Sequence, residues 1–154
     1  MSSFVGDYTC KADNKCRVVV PSSFRKVMAA SQQSFFVLRR NVFEKCIDMY
    51  PKDEWEKMMA ELQARLNRFN AKHVAFLREF CRGTQEVEMD ANGRILLPRK
   101  MLDEAGIQKE MVLAAQGTLI QVWDADAYGR TALEPGALGR LAEEILGNEF
   151  SVAF

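Results

Sequence analysis

A carboxylate placed four residues ahead of a guanidinium, across turn-forming residues, occurs twice in this chain. Asp13-Asn-Lys-Cys-Arg17-Val-Val-Val-Pro21 and Asp90-Ala-Asn-Gly-Arg94-Ile-Leu-Leu-Pro98 share Asp, Arg, an aliphatic triplet and Pro at a constant displacement of 77 positions. Across a tight β-turn this spacing sets the carboxylate beside the guanidinium and beside the backbone N–H groups of the turn. The Asp can then hold the Arg fork in one direction, preorganised for bidentate bonding to phosphate or guanine. Lys15 adds a positive charge to the first tip. A single D-x-x-x-R reads most simply as a turn-stabilising ion pair. Its recurrence in the same context points to a contact surface displayed twice.

Other chemistry finds less support. There is no G-x-S-x-G, no Cys/His pairing, no Gly-rich phosphate loop and no metal-ligand spacing. Paired copies could bring Asp13 and Asp90 together as two acids, but an Arg four residues along keeps each one ionised, which suits a clamp better than a general acid. Cys10, Cys16, Cys46 and Cys81 show no C-x-x-C spacing and read as reduced thiols of a cytosolic protein. Cys16 stands where a tight hairpin commonly needs φ > 0, a conformation Gly takes freely and Cys does not, so Asn14 taking that place or a different turn type are the expectations. An exposed Cys16 thiol activated by Lys15 and Arg17 is a second reading. The one histidine, His73, reads as an interface residue. No metal, cofactor or small-molecule substrate is expected.

The elements that must position the tips follow from the pattern. Residues 4–10 and 16–20 read as two strands joined by the Lys11–Lys15 tip, and Pro21 ends the second because it cannot donate to a ladder. Proline suits the first turn of a helix, on which Phe24, Val27 and Met28 make one apolar stripe. Met101, Leu102 and Ala105 repeat that stripe, with Gly106 as terminator. Arg25, Lys26, Arg99 and Lys100, at the starts of these two helices, are candidate phosphate contacts, with solvated helix residues as the alternative. Two further strands in each copy, Phe35–Leu38 with Cys46–Tyr50 and Met111–Ala114 with Leu119–Trp123, extend the repeat. By Tyr50/Trp123 and Trp55/Tyr128 the displacement is 73, so four residues are missing from the second copy, expected between its third and fourth strands or just before them. Arg39-Arg40 reads as a surface turn, with a subunit contact as the alternative, and Met49, Met58 and Met59 as core filling.

Between the copies, about Lys52 to Arg82 reads as one long helix. Trp55, Leu62, Phe69 and Phe76 form one set spaced by seven, and Met59, Leu66, His73 and Phe80 another. Such a seam packs along a partner, either the carboxy-terminal helix or the same helix of a neighbouring subunit. After Trp123, a loop holding Glu134-Pro135-Gly136 leads to a helix with the stripe Leu138, Leu141, Ala142, Ile145, closed by Gly147. The expected divisions are 4–50, 51–83, 84–124 and 125–154.

Composition sets bounds. The 154 residues suit one compact domain or two small units sharing a core. The amino terminus has no basic region followed by an apolar stretch, and no apolar run suits a membrane span. A net charge of zero hides an asymmetry: residues 1–50 carry eight Lys/Arg against four Asp/Glu, and residues 85–154 carry six against twelve. A nucleic-acid-binding protein need not be basic overall if its basic side chains converge on one face.

On these residues the chain resembles a known family. Asp90-Ala-Asn-Gly-Arg94-Ile-Leu-Leu-Pro98, a short helix, Gly106-Ile107 and two strands look like the AbrB-type swapped-hairpin domain of bacterial transition-state regulators and antitoxins. Two copies in one chain, with Phe4-Val-Gly-Asp, Tyr50-Pro-Lys-Asp-Glu-Trp55 and Gln121-Val-Trp123-Asp, resemble the MraZ family over about residues 4–147. The resemblance implies an α+β fold in which two AbrB-like swapped-hairpin units form an intramolecular pseudo-dimer, with a long connecting helix and a carboxy-terminal helix. It also implies ring-shaped homo-oligomers binding direct repeats of double-stranded DNA in the promoter of the division and cell-wall operon. By position, the DNA-contacting element falls on Asp13, Asn14, Lys15 and Arg17 and on Asp90, Asn92 and Arg94. The reading is therefore a non-enzymatic, cytoplasmic, nucleoid-associated transcriptional regulator. The alternative is a ring-forming protein–protein module, antitoxin-like or a scaffold.

Overall fold

Each aliphatic triplet stops at a proline, and the proline turns the chain directly into a helix. The computed structural model describes residues 3–147. In it Pro21 and Pro98, with φ of −51° and −58°, stand immediately before helices. In order, the first copy comprises β1 (Asp7–Lys11), β2 (Arg17–Val19), α1 (Ser22–Ala30), β3 (Phe35–Arg40) and β4 (Ile47–Pro51). Two helices follow, α2 (Lys52–Ala64) and α3 (Ala71–Cys81). The second copy comprises β5 (Gln85–Glu88), β6 (Arg94–Leu96), α4 (Arg99–Glu104), β7 (Glu110–Gln116) and β8 (Leu119–Asp124), and α5 (Ala125–Arg130) and α6 (Ala137–Leu146) complete the described chain.

The copies are interleaved by strand pairing. A six-stranded antiparallel sheet runs β1-β7-β8-β4-β3-β5. The first copy's β1 lies on the second copy's β7, with Tyr8 opposite Leu113, and the second copy's β5 lies on the first copy's β3, with Val87 opposite Phe36. A separate two-stranded ribbon joins β2 to β6, with Val18 opposite Ile95. Each tip therefore turns the chain without closing a hairpin, because the strands before and after it belong to different sheets. One core serves both copies: Val18, Val20, Phe24, Met28, Ile95, Leu97, Met101 and Leu102 are buried together with the inner residues of the large sheet.

The long helix is two helices. The chain leaves the helical path after α2, and Asn70 restarts it by accepting bonds from the backbone N–H groups of Lys72 and His73. Asn67 N–H donates to His73 Nδ1, so the histidine closes the turn between the helices. The fold-back brings opposite ends of the seven-residue pattern together: Trp55 stacks on Phe80 with centroids 6.1 Å apart, and Phe69 is left wholly exposed at the bend.

Two further expectations change. The four missing residues are shared between two places. Phe36 pairs with Pro51 and Met111 with Asp124, so β3 and β7 correspond at 75 and β4 and β8 at 73. Two residues are thus lost before the third strand of the second copy and two in the loop after it. A short helix, α5, also stands where a loop was expected, with Asp124 capping it by accepting from Ala127 N–H. On α6, Leu138, Leu141 and Ile145 are exposed, and Gly147 closes the helix at φ 63°. The last division extends to residue 154, and its residues 148–154 lie outside those described.

Candidate nucleic-acid interface

The two tips have the same backbone. Cys16 N–H donates to the Asp13 carbonyl (3.0 Å) and Asp13 N–H to the Arg17 carbonyl (2.9 Å). Gly93 to Asp90 (3.0 Å) and Asp90 to Arg94 (2.8 Å) repeat the pattern. In each tip a β-turn is followed by one left-handed residue, Cys16 at φ 61° and Gly93 at φ 76°. Cys16 itself, not Asn14, takes that conformation, and its side chain is buried in the shared core, which removes the exposed-thiol reading. Burial also raises the Cys10 thiol, and it pushes Cys46, helped by Asp48 and Glu44, up to about 12.

Each aspartate side chain makes the same three contacts. Asp13 Oδ1 accepts from Lys15 and Arg17 N–H, both at 2.9 Å, and its Oδ2 accepts from Arg17 Nε at 2.8 Å. Asp90 Oδ1 accepts from Asn92 and Arg94 N–H, both at 2.9 Å, and its Oδ2 accepts from Arg94 Nε at 3.2 Å. The Arg17 N–H bond and then that of Lys15 hold the Asp13 carboxyl below its ordinary value, and Arg94 and Asn92 N–H do the same for Asp90. Both acids therefore stay ionised, which suits a clamp and rules against their sharing a proton. Because Nε is taken, the terminal NH2 groups of each guanidinium have no protein partner among the described residues and remain available to a ligand.

The tips flank one ribbon. Arg17 lies opposite Leu96 and Val19 opposite Arg94, so these four side chains share a face while Val18 and Ile95 point into the core. The ribbon is tied to the tips at both ends: Val20 N–H donates to the Gly93 carbonyl (2.8 Å) and Leu97 N–H to the Cys16 carbonyl (2.9 Å). In the sequence Val19 and Leu96 read simply as members of the two aliphatic triplets. Their exposure is hidden in a triplet that is aliphatic throughout.

Of the four candidate phosphate contacts, Arg99 and Lys100 are exposed at the start of α4 and Lys26 is exposed midway along α1. Arg25 is half-buried and engaged within the protein. Its Nη1 donates to the Val20 carbonyl at 2.7 Å, and its chain lies flat on Gly93, where a Cβ would stand 2.5 Å from Arg25 Cδ. Arg25, from the first copy, thus braces the tip of the second. Asn14 and Lys15 are exposed at the first tip.

A cleft of about 510 Å³ lies apart from the tips, lined by Arg39, Arg40, Phe43, Phe76, Phe80 and Ala105 among others. Arg39 is no surface turn: it is 5 % exposed, lies over the Phe80 ring at 3.9 Å, donates to the Phe80 carbonyl, and stands 3.9 Å from Asp48. Burial lowers Arg39 and raises Asp48, against their mutual attraction, because the separation is too long to offset two desolvations. This network fastens α3 to the sheet and faces inward.

Two clamped arginines thus stand on one face of a ribbon shared by two interleaved copies. A family model described as "MraZ protein, putative antitoxin-like" matches residues 3–79 and 80–134. A protein of Christiangramia forsetii named transcriptional regulator MraZ is 41% identical over 151 residues, covering 97% of this chain and 96% of that one. Proteins of the same name from Flavobacterium psychrophilum and Bacteroides fragilis are 39% and 34% identical, covering 96% and 97% of this chain and 94% of each relative. The chain belongs to the MraZ family. Among its described residues no helix is long and apolar enough to cross a membrane.

Proposed function

We propose that the protein is a transcriptional regulator that binds double-stranded DNA through both tips, without enzymatic activity. The observation carrying this reading is the pair of clamped tips: each Asp fixes Arg Nε and leaves the outer NH2 groups to a guanine edge or a phosphate. The names of the relatives support the regulatory role. The exchange of β1 and β5 between copies, with the central β2–β6 pairing, supports an AbrB-like swapped-hairpin pseudo-dimer.

One chain offers too little for tight binding. Two bidentate contacts give about 2–6 kcal/mol, whereas a nanomolar complex needs about 12. Several subunits must engage successive sites, so the protein acts as a homo-oligomeric ring on direct repeats upstream of its own operon in the nucleoid. The exposed Leu138, Leu141 and Ile145 of α6 and Phe43 beside the cleft support self-association. The test is fluorescence anisotropy on DNA from upstream of the chain's own gene, on a shuffled duplex, and on one with half a helical turn inserted between repeats. Preference for the first that the insertion weakens is the expected result. Equal binding to all three contradicts the reading and favours a protein–protein ring.

A further inference from the structure

We propose that the outer face of the β2–β6 ribbon enters the major groove and reads thymine methyl groups through Val19 and Leu96, between the two arginines. This rests on the DNA-binding reading above and names what that surface recognises.

The ribbon has a strict inside and outside. Val18 and Ile95 are each 1% exposed, Val20 and Leu97 0%, yet Val19 and Leu96 are each 52% exposed. Both copies thus leave one aliphatic side chain open at the same place, two residues after the arginine of the tip. The register makes these positions neighbours: Leu96 lies opposite Arg17, and Val19 lies opposite Arg94. The outer face is a compact quartet of two guanidiniums and two aliphatic groups, with Asp13 and Asp90 at its margins.

That composition selects a particular surface of nucleic acid. Phosphates would be served by cations alone, and an aliphatic pair contributes nothing to them. The thymine 5-methyl is the apolar feature of base-pair edges. It projects into the major groove, where guanine also presents the O6/N7 pair that suits an Arg fork, and the minor groove shows neither. A two-stranded ribbon fits that groove, about 12 Å wide. Residues two apart on a strand lie roughly 7 Å from each other, matching two base steps at about 3.4 Å each. Each strand therefore addresses a guanine with its Arg and a thymine about two steps away with its aliphatic residue.

The experiment compares a duplex from upstream of the chain's own gene in its thymine form, in a form with deoxyuridine at every thymine, and in shuffled order. It uses the full-length protein, Val19→Ser, Leu96→Ser and Val19→Thr. Wild type is expected to bind the thymine duplex about fourfold more tightly for each methyl contact. Each Ser variant loses its own contact's share of that discrimination, about fourfold, with unchanged melting temperature, and Val19→Thr, which keeps a methyl group, retains part of the share that Val19→Ser loses. Wild type that prefers its own sequence over the shuffled one yet binds thymine and uracil forms equally overturns the ribbon contact and leaves the DNA reading standing. No preference for its own sequence over the shuffled one overturns both. Ser variants that alter subunit assembly while keeping thymine discrimination show a subunit contact, which also overturns the proposal.

Discussion

The two tips share a backbone and a carboxylate clamp but are braced differently. At the second tip the left-handed residue is Gly93, and Arg25 of the first copy lies against it with Cδ where a Cβ would be. At the first tip the left-handed residue is Cys16, buried in the core, and the repeat puts Leu102 at the position equivalent to Arg25. The glycine and the covering arginine go together, as do the cysteine and the shorter aliphatic residue. The left-handed position thus carries a side chain in the tip whose equivalent of Arg25 is aliphatic. The exchange also leaves the arginine brace on one tip only.

Replacing Gly93 with Cys attacks the second tip at its tightest point. Left-handed strain for a non-glycine residue is about 1–2 kcal/mol, and overpacking against Arg25 adds about 1–3. Chemical denaturation should therefore show a loss of about 2 kcal/mol or more. Adding Arg25→Leu should recover much of that loss by copying the arrangement of the first tip. A double variant as unstable as the sum of its parts would show that the two differences are unrelated.

Asp13→Asn and Asp90→Asn keep an oxygen for the turn N–H groups but remove the charge that aims the arginine. Equal losses of DNA affinity from the two changes, about tenfold each for one misaimed bidentate contact, would mark the clamps as equivalent despite their different bracing. Acid gives the same comparison without mutation. A carboxyl held below its ordinary value stabilises the folded tip fully above that value, and this contribution disappears as pH falls through the lowered one. The difference in melting temperature between wild type and the double Asn variant should be constant at neutral pH and close only below the ordinary Asp value of 3.8. Closure nearer neutrality would mean the clamps are not formed in solution.

The mildest change is Cys16→Gly. Relief of left-handed strain, about 1 kcal/mol, is offset by lost burial of the side chain and a more flexible unfolded chain, each of similar size. A shift in stability within about 1 kcal/mol is expected by denaturation. A loss of several would show that the thiol does more than fill space.

Much of the site is legible in the sequence, because a turn is a local object. Asp13–Arg17 and Asp90–Arg94 each fold from five consecutive residues, and repetition separates them from chance ion pairs. Strand exchange is not legible in the residue pattern and is implied only by the family resemblance. Both copies have the same apolar pattern, so nothing local tells β1 to pair with β7 rather than with its own hairpin. The unbroken seven-residue spacing from Trp55 to Phe80 hid the fold-back, although Asn67 and Asn70 carry a capping signal that could have divided it. Arg39 misled because a charged pair suggests a surface; its burial depends on Phe80, 41 residues away. Val19 and Leu96 were concealed by aliphatic neighbours, since alternation cannot be seen when every residue is apolar.

The central claim is that both arginines read DNA together. It is tested most directly by anisotropy of wild type, Arg17→Ala, Arg94→Ala and the double variant on native upstream DNA over a range of salt. Each single change should weaken binding at least tenfold and reduce preference over shuffled DNA, with log affinity falling against log salt by about 0.9 for each phosphate engaged. Full native-sequence preference retained by the double variant would contradict it.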